Sequence, residues 1–152
     1  MAGLLKILLA CSLFSIAAAQ EIKLTHKGPE TPFKPLPEFK DHKLTLFATA
    51  PEVNCPVSVI AEPGGALYVL SDNNAGLGLG RNNGSILRLV DKDNDGKADV
   101  MTKFVPNIDT PRGGHFVDGV LYVMHPPFIS SFKDTDGDGV ADEHKVLAKG
   151  FG

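Results

Sequence analysis

Two nine-residue runs in this chain have the composition and spacing of loops built to hold a hard cation. The first is Asp91-Lys92-Asp93-Asn94-Asp95-Gly96-Lys97-Ala98-Asp99, and the second is Asp134-Thr135-Asp136-Gly137-Asp138-Gly139-Val140-Ala141-Asp142. Carboxylates at positions 1, 3 and 5, a backbone carbonyl at 7 and a glycine at 6 for the sharp bend are how a short loop wraps Ca2+ in oxygen. The expected ligands are Asp91, Asp93, Asp95 and Asp99 in the first run, and Asp134, Asp136, Asp138 and Asp142 in the second. An EF-hand would also need a bidentate Glu at position 12, where this chain has Thr102 and Lys145, and the flanks read as strands. These are therefore expected to be hairpin tips. The plainer account is a solvated Asp/Gly turn without an ion, because exposed like charges are screened within about 8–10 Å. The second run is the better donor: Glu143 adds a fifth carboxylate against only Lys133 and Lys145, whereas Lys92 and Lys97 offset the first.

A second place with chemical potential is Thr110-Pro111-Arg112-Gly113-Gly114-His115. Proline and two glycines around Arg112 set a tight turn just before a strand. From there Arg112 can clamp a carboxylate or an anionic cofactor through a bidentate pair. His115 and His125 carry imidazoles suited to proton transfer, although a strand-end histidine with a satisfied hydrogen bond is the simpler account of each. Arg112 and His115 are thus the candidate substrate or cofactor contacts, and no catalytic residue is assigned. Gly76-x-Gly78-x-Gly80 lacks the strand-loop-helix setting of a phosphate loop. Cys55 precedes Pro56-Val57, so the chain has neither a redox Cys pair nor a haem-attachment Cys-x-x-Cys-His. It reads as a buried apolar thiol at the start of a strand.

The elements that must position these residues are strands. Gly65-Ala66-Leu67-Tyr68-Val69-Leu70 repeats as Gly119-Val120-Leu121-Tyr122-Val123-Met124, and each copy leads through an apolar strand into its acidic turn. The Leu-Tyr-Val landmarks lie 121 − 67 = 54 positions apart and the acidic turns 134 − 91 = 43, so the first unit carries 11 extra residues. They fall in the polar, Gly-rich stretch 72–83. Repeats of this length, made of short strands and Gly/Asp turns, are the mark of propeller blades, with insertions mapping to one loop face. Lys43-Leu44-Thr45-Leu46-Phe47-Ala48 is expected to form a further strand ending near Pro51. The fold class is all-β: an incomplete β-propeller of two antiparallel blades over residues 44–152. A propeller closes with at least about four blades, so the chain is expected to be the front end of a longer protein whose C-terminal blades complete the ring.

Ahead of the blades, residues 20–43 hold Pro29, Pro32, Pro35 and Pro37 among charged residues and read as an extended linker. Residues 1–19 have the layout of a cleavable signal peptide: Lys6, the apolar stretch Ile7 to Ile16, then Ala17-Ala18-Ala19. That run is too short to span a membrane, and Cys11 falls too early for a lipoprotein box. Export to the periplasm or the extracellular space is expected. Cleavage removes Cys11 and leaves Cys55 without an internal disulfide partner. Net charge is −3, and there is no basic patch of the kind that binds nucleic acid.

Taken together, Cys55-Pro56, Gly65-Ala66-Leu67-Tyr68-Val69, Ile86-Leu87-Arg88-Leu89 with its Asp-rich turn, Pro111-Arg112-Gly113 and Lys149-Gly150-Phe151-Gly152 carry a family likeness. The chain resembles the N-terminal part of the membrane-bound dehydrogenase family of planctomycete and verrucomicrobial type, related to sorbosone and glucose dehydrogenase propellers. Its acidic turns also resemble the hairpin loops of integrin-type propellers, in which the ninth-position Asp closes the calcium site. The dehydrogenase resemblance implies a periplasmic propeller oxidoreductase acting on sugars or related alcohols and aldehydes. It also implies pyrroloquinoline quinone in the full-length parent. The alternative function is a non-catalytic extracellular propeller that binds carbohydrate or a protein partner.

Overall fold

The computed structural model describes residues 21–24 and 44–151. The expected signal peptide and most of the expected linker lie outside the described residues. The strands are β1 (Ile22–Lys23), β2 (Pro56–Ala61), β3 (Leu67–Asp72), β4 (Gly84–Val90), β5 (Val100–Ile108), β6 (Gly113–Val117), β7 (Val120–His125), β8 (Phe128–Lys133) and β9 (Glu143–Lys149). No helix occurs among the described residues, and none could cross a membrane. One sheet has the order β1-β5-β4-β3-β2 and the other β6-β7-β8-β9, with every pairing antiparallel. The fold is all-β, and the two sheets are consistent with neighbouring propeller blades; they do not by themselves close a ring.

The repeat in the sequence is a repeat in space. Strands β2–β5 and β6–β9 are two meanders, with Leu67-Tyr68-Val69 on the second strand of one and Leu121-Tyr122-Val123 on the second strand of the other. Successive side chains on a strand point to opposite faces, so each apolar run feeds two layers. Tyr68, Leu70, Ile86 and Phe104 face the second sheet and meet Leu121, Val123 and Phe132 in the main core. Val69, Leu87, Leu89 and Met101 face the other way, where Leu24, Phe47, Ala48 and Val53 cover them. The first sheet is thus buried on both faces.

Two expectations need correction. Residues 44–49 form no strand. The free edge of β5 is taken by β1, with Ile22 opposite Met101 and Lys23 opposite Val100, so part of the expected linker is pinned to the sheet. The segment instead lies over the sheet face, and its Phe47 carbonyl accepts the Ala98 amide at 2.9 Å. Cys55 is also not buried: its thiol is exposed. It sits at a bend with φ +46° ahead of β2, and its carbonyl accepts the Asp72 amide at 3.1 Å. The buried side chain on that strand is Ile60.

Candidate metal centres and the opposite loop face

The strand directions sort the loops into two ends. Val90 pairs with Val100 and Lys133 with Glu143, so both acidic turns cap the same end of their sheets. Asp72 pairs with Gly84, Gly84 with Ile108, and His125 with Phe128. Those pairs put the insertion, the β5–β6 link and the β7–β8 turn at the other end, a strand length of roughly 20 Å away.

Both acidic turns are folded by the same network. In the first, Asp91 accepts the Asn94 amide at 2.7 Å and the Gly96 amide at 2.8 Å through its two oxygens. In the second, Asp134 accepts Gly137 at 2.7 Å and Gly139 at 2.8 Å. Asp93 and Asp136 each accept the amide two residues on, as do Asp95 and Asp138. The sixth-position glycines have φ +89° and +86°, a conformation that costs an L side chain energy. A Cβ would also strike Thr45 Oγ1 at 2.8 Å from Gly96, or Thr102 Oγ1 at 2.9 Å from Gly139. Each turn is therefore docked against the segment before it. Thr102 Oγ1 donates to the Gly139 carbonyl at 3.1 Å, and Phe104 accepts the Ala141 amide at 2.9 Å, just as Phe47 accepts Ala98.

Carboxylate oxygens converge within 4.8 Å in Asp91, Asp93 and Asp99, and again in Asp134, Asp136 and Asp138. Such oxygen-only clusters suit a hard divalent ion such as Ca2+. The two cages differ in their closing member. Asp99, which joins the first group, accepts the Lys92 amide at 2.7 Å; Asp142 of the second accepts the Thr135 amide at 2.7 Å and also the Thr135 hydroxyl at 2.9 Å. Those two bonds, the amide first, hold the Asp142 carboxyl below the usual carboxylate range. Asp95 spends one oxygen on the Lys97 amide at 2.8 Å.

At the other end, the organising residue is one the sequence analysis passed over. Asp72 is fully buried and accepts the Asn74 amide at 3.0 Å, the Gly76 amide at 3.2 Å and Arg112 Nη1 at 3.0 Å. Asn74 Nδ2 donates to the Gly80 carbonyl at 2.7 Å, and Asn83 Nδ2 to Asn74 Oδ1 at 3.1 Å. Part of the Arg112 fork is therefore committed to holding the insertion. His115 is exposed on the edge strand β6, opposite Tyr122. The available signal for this site was Asp-Asn-Asn at a strand end, since Asx side chains turn the backbone that follows them.

His125 is buried, with Nε2 2.8 Å from Ser130 Oγ, and it borders a cavity of about 430 Å³ that is also lined by Arg81, Asn107, Asp109, Phe128 and His144. Burial first, and then the His144 charge, lower its pKa from 6.5 against an opposing pull from Asp109. The neutral ring is the folded form. Its contribution is complete above the ordinary imidazole value and is lost as pH falls from there through the lowered folded value. We expect the melting temperature to drop more between pH 7.5 and 5.5 in the wild type than in His125→Gln. Parallel pH profiles from differential scanning calorimetry would refute this.

A family model described as Domain of unknown function (DUF7133) matches residues 29–152, so the chain belongs to that family. No curated protein matches the chain, and no solved structure does.

Proposed function

We propose that this DUF7133 domain is a calcium-stabilised stretch of propeller in an exported oxidoreductase acting on sugars or related alcohols and aldehydes, and that the domain is scaffold rather than redox centre. The observation that carries the scaffold reading is the same acidic cage built twice, at one end of two adjoining sheets, each docked on the segment before it. The oxidoreductase reading is supported by the dehydrogenase resemblance of the blade motifs. Export, which the leader sequence supports, would place the cages where Ca2+ is millimolar-range, matching the affinity of about 10⁻⁴–10⁻³ M typical of extracellular modules.

The quinone of that family does not fit the residues described. A polycarboxylate cofactor calls for convergent cationic donors, but Arg112 is engaged with Asp72 and His115 is exposed on β6. No redox step is assigned to this chain. The second reading, non-catalytic carbohydrate binding, draws on the cavity beside His125. Phe128 offers a ring face there, and Asp109 and Asn107 offer groups that bond hydroxyls. Titration with mono- and oligosaccharides separates the two: saturable heat from this chain alone favours binding.

The calcium reading has a direct test. On the chelated chain, 10 mM Ca2+ at an affinity of about 10⁻⁴–10⁻³ M should stabilise by roughly 1.4–2.7 kcal/mol per site. Asp134→Asn and Asp91→Asn should each abolish one component of the titration heat. No heat and an unmoved melting temperature would remove the claim.

A further inference from the structure

The cavity beside His125 has a twin on the opposite face of the first sheet. The twin holds about 360 Å³ and is floored by Ser71, Ser85 and Met101 on β3, β4 and β5, with Pro51 and Glu52 at its rim. The register makes the two equivalent. Ser71 pairs with Ser85 as His125 pairs with Phe128, and Met101 stands 43 positions before His144, the spacing of the acidic turns. Glu52 precedes Asp109 by 109 − 52 = 57 positions, the same interval that separates Thr45 from Thr102. Each unit therefore carries one such cavity, walled by the segment that clamps its acidic turn and bearing a carboxylate at the rim.

The polar group on the floor is satisfied in one cavity and not in the other. His125 Nε2 has Ser130 Oγ at 2.8 Å. In the first unit Leu87 takes the place of Ser130, each lying opposite the valine of its Leu-Tyr-Val run. Ser71 is 2% exposed, and its Oγ meets no hydrogen-bond partner among the described residues. A buried hydroxyl in that state is a cost that a ligand atom relieves.

We propose that this cavity binds a small uncharged polyhydroxylated molecule, a monosaccharide or sugar alcohol, with Ser71 Oγ bonding one of its hydroxyls. The volume lies at the low end of the roughly 300–1,000 Å³ that ligand sites occupy, which suits one ring. The charged groups lining it are Glu52 and Lys103, one of each sign, and neither is in an ion pair among the described residues. The lining thus favours no net charge. Ser85 and Asn73 add groups that both donate and accept, as sugar hydroxyls do. Asn54 spends Nδ2 on the Pro51 carbonyl at 2.7 Å, so its Oδ1 is the acceptor on offer. Leu87 and Met101 supply an apolar patch for the C–H groups of a ring. The site is separate from the cavity beside His125, and it stands whether or not the acidic turns hold Ca2+.

The test is calorimetric titration of the chain with D-glucose, D-galactose and sorbitol. At least one should bind saturably. Ser71→Ala should weaken that binding at least tenfold, and Ser85→Leu, which fills the floor, should abolish it, while His125→Gln leaves it unchanged. Without sugar, Ser71→Ala should melt no lower than wild type, because its hydroxyl has no partner to lose. No saturable heat from any of the three would overturn the proposal. So would binding that survives Ser71→Ala, and its loss in His125→Gln would assign it to the other cavity. A lower melting temperature for sugar-free Ser71→Ala would mean that a fixed water already serves the hydroxyl, which also overturns the proposal.

Discussion

Phe104→Ala should destabilise the fold by about 3–5 kcal/mol, while Leu147→Ala, its counterpart in the second unit, should stay within about 0.5 kcal/mol of wild type. Phe104 is 1% exposed and lies edge-on to Tyr68 with ring centroids 4.9 Å apart. Tyr68 in turn stacks on Phe116 at 5.3 Å, so the ring links β5 to both sheets. Close packing leaves little room for collapse around the missing ring. Leu147 occupies the same register position with nothing over it and has no comparable contacts to lose. Urea unfolding measures both, with unchanged m-values marking a pure stability effect. Similar losses for the two would mean that the faces are not in opposite states.

This contrast also shows what a sequence read alone conveys. The Leu-Tyr-Val strands and the Asp/Gly turns are legible because strand alternation and turn chemistry act over a few residues. Both units fold around them as expected. The clamp on each turn was not legible. Thr45-Leu46-Phe47 does for the first turn what Thr102-Lys103-Phe104 does for the second, at an offset of 102 − 45 = 57 rather than 43 or 54. One copy lies in β5, paired with β4, whereas the other lies over the sheet face and is not paired as a strand. Hydrophobic alternation in Leu44–Ala48 reports burial, not a ladder partner. The ninth-position Asp caps the second residue of its turn in both units, accepting the Lys92 amide as Asp99 and the Thr135 amide as Asp142, each at 2.7 Å. Thr135, standing where the first turn has Lys92, offers a hydroxyl as well as an amide, so the second cap carries one more bond.

The insertion depends most on a residue that carries no motif. Asp72→Ala should cost about 3 kcal/mol, the low end for breaking a buried charge pair, because Arg112 keeps 34% side-chain exposure and can return to water. The buried Asn74 amide has no such recourse, and Gly76 loses the bond that ties it to the root of the loop. The loss should therefore be local before it is global. Trypsin should cleave after Arg81, in the exposed part of the insertion, many-fold faster in Asp72→Ala than in wild type under conditions where both remain folded. Arg112→Gln leaves the buried Asp72 carboxylate without its countercharge, but it keeps both backbone donors on Asp72 and should leave Arg81 nearly as protected as in wild type. If Arg112→Gln instead exposes Arg81 as fully as Asp72→Ala does, the ion pair rather than the capped turn holds the loop. The guanidinium would then be a structural tie with nothing left over for a ligand.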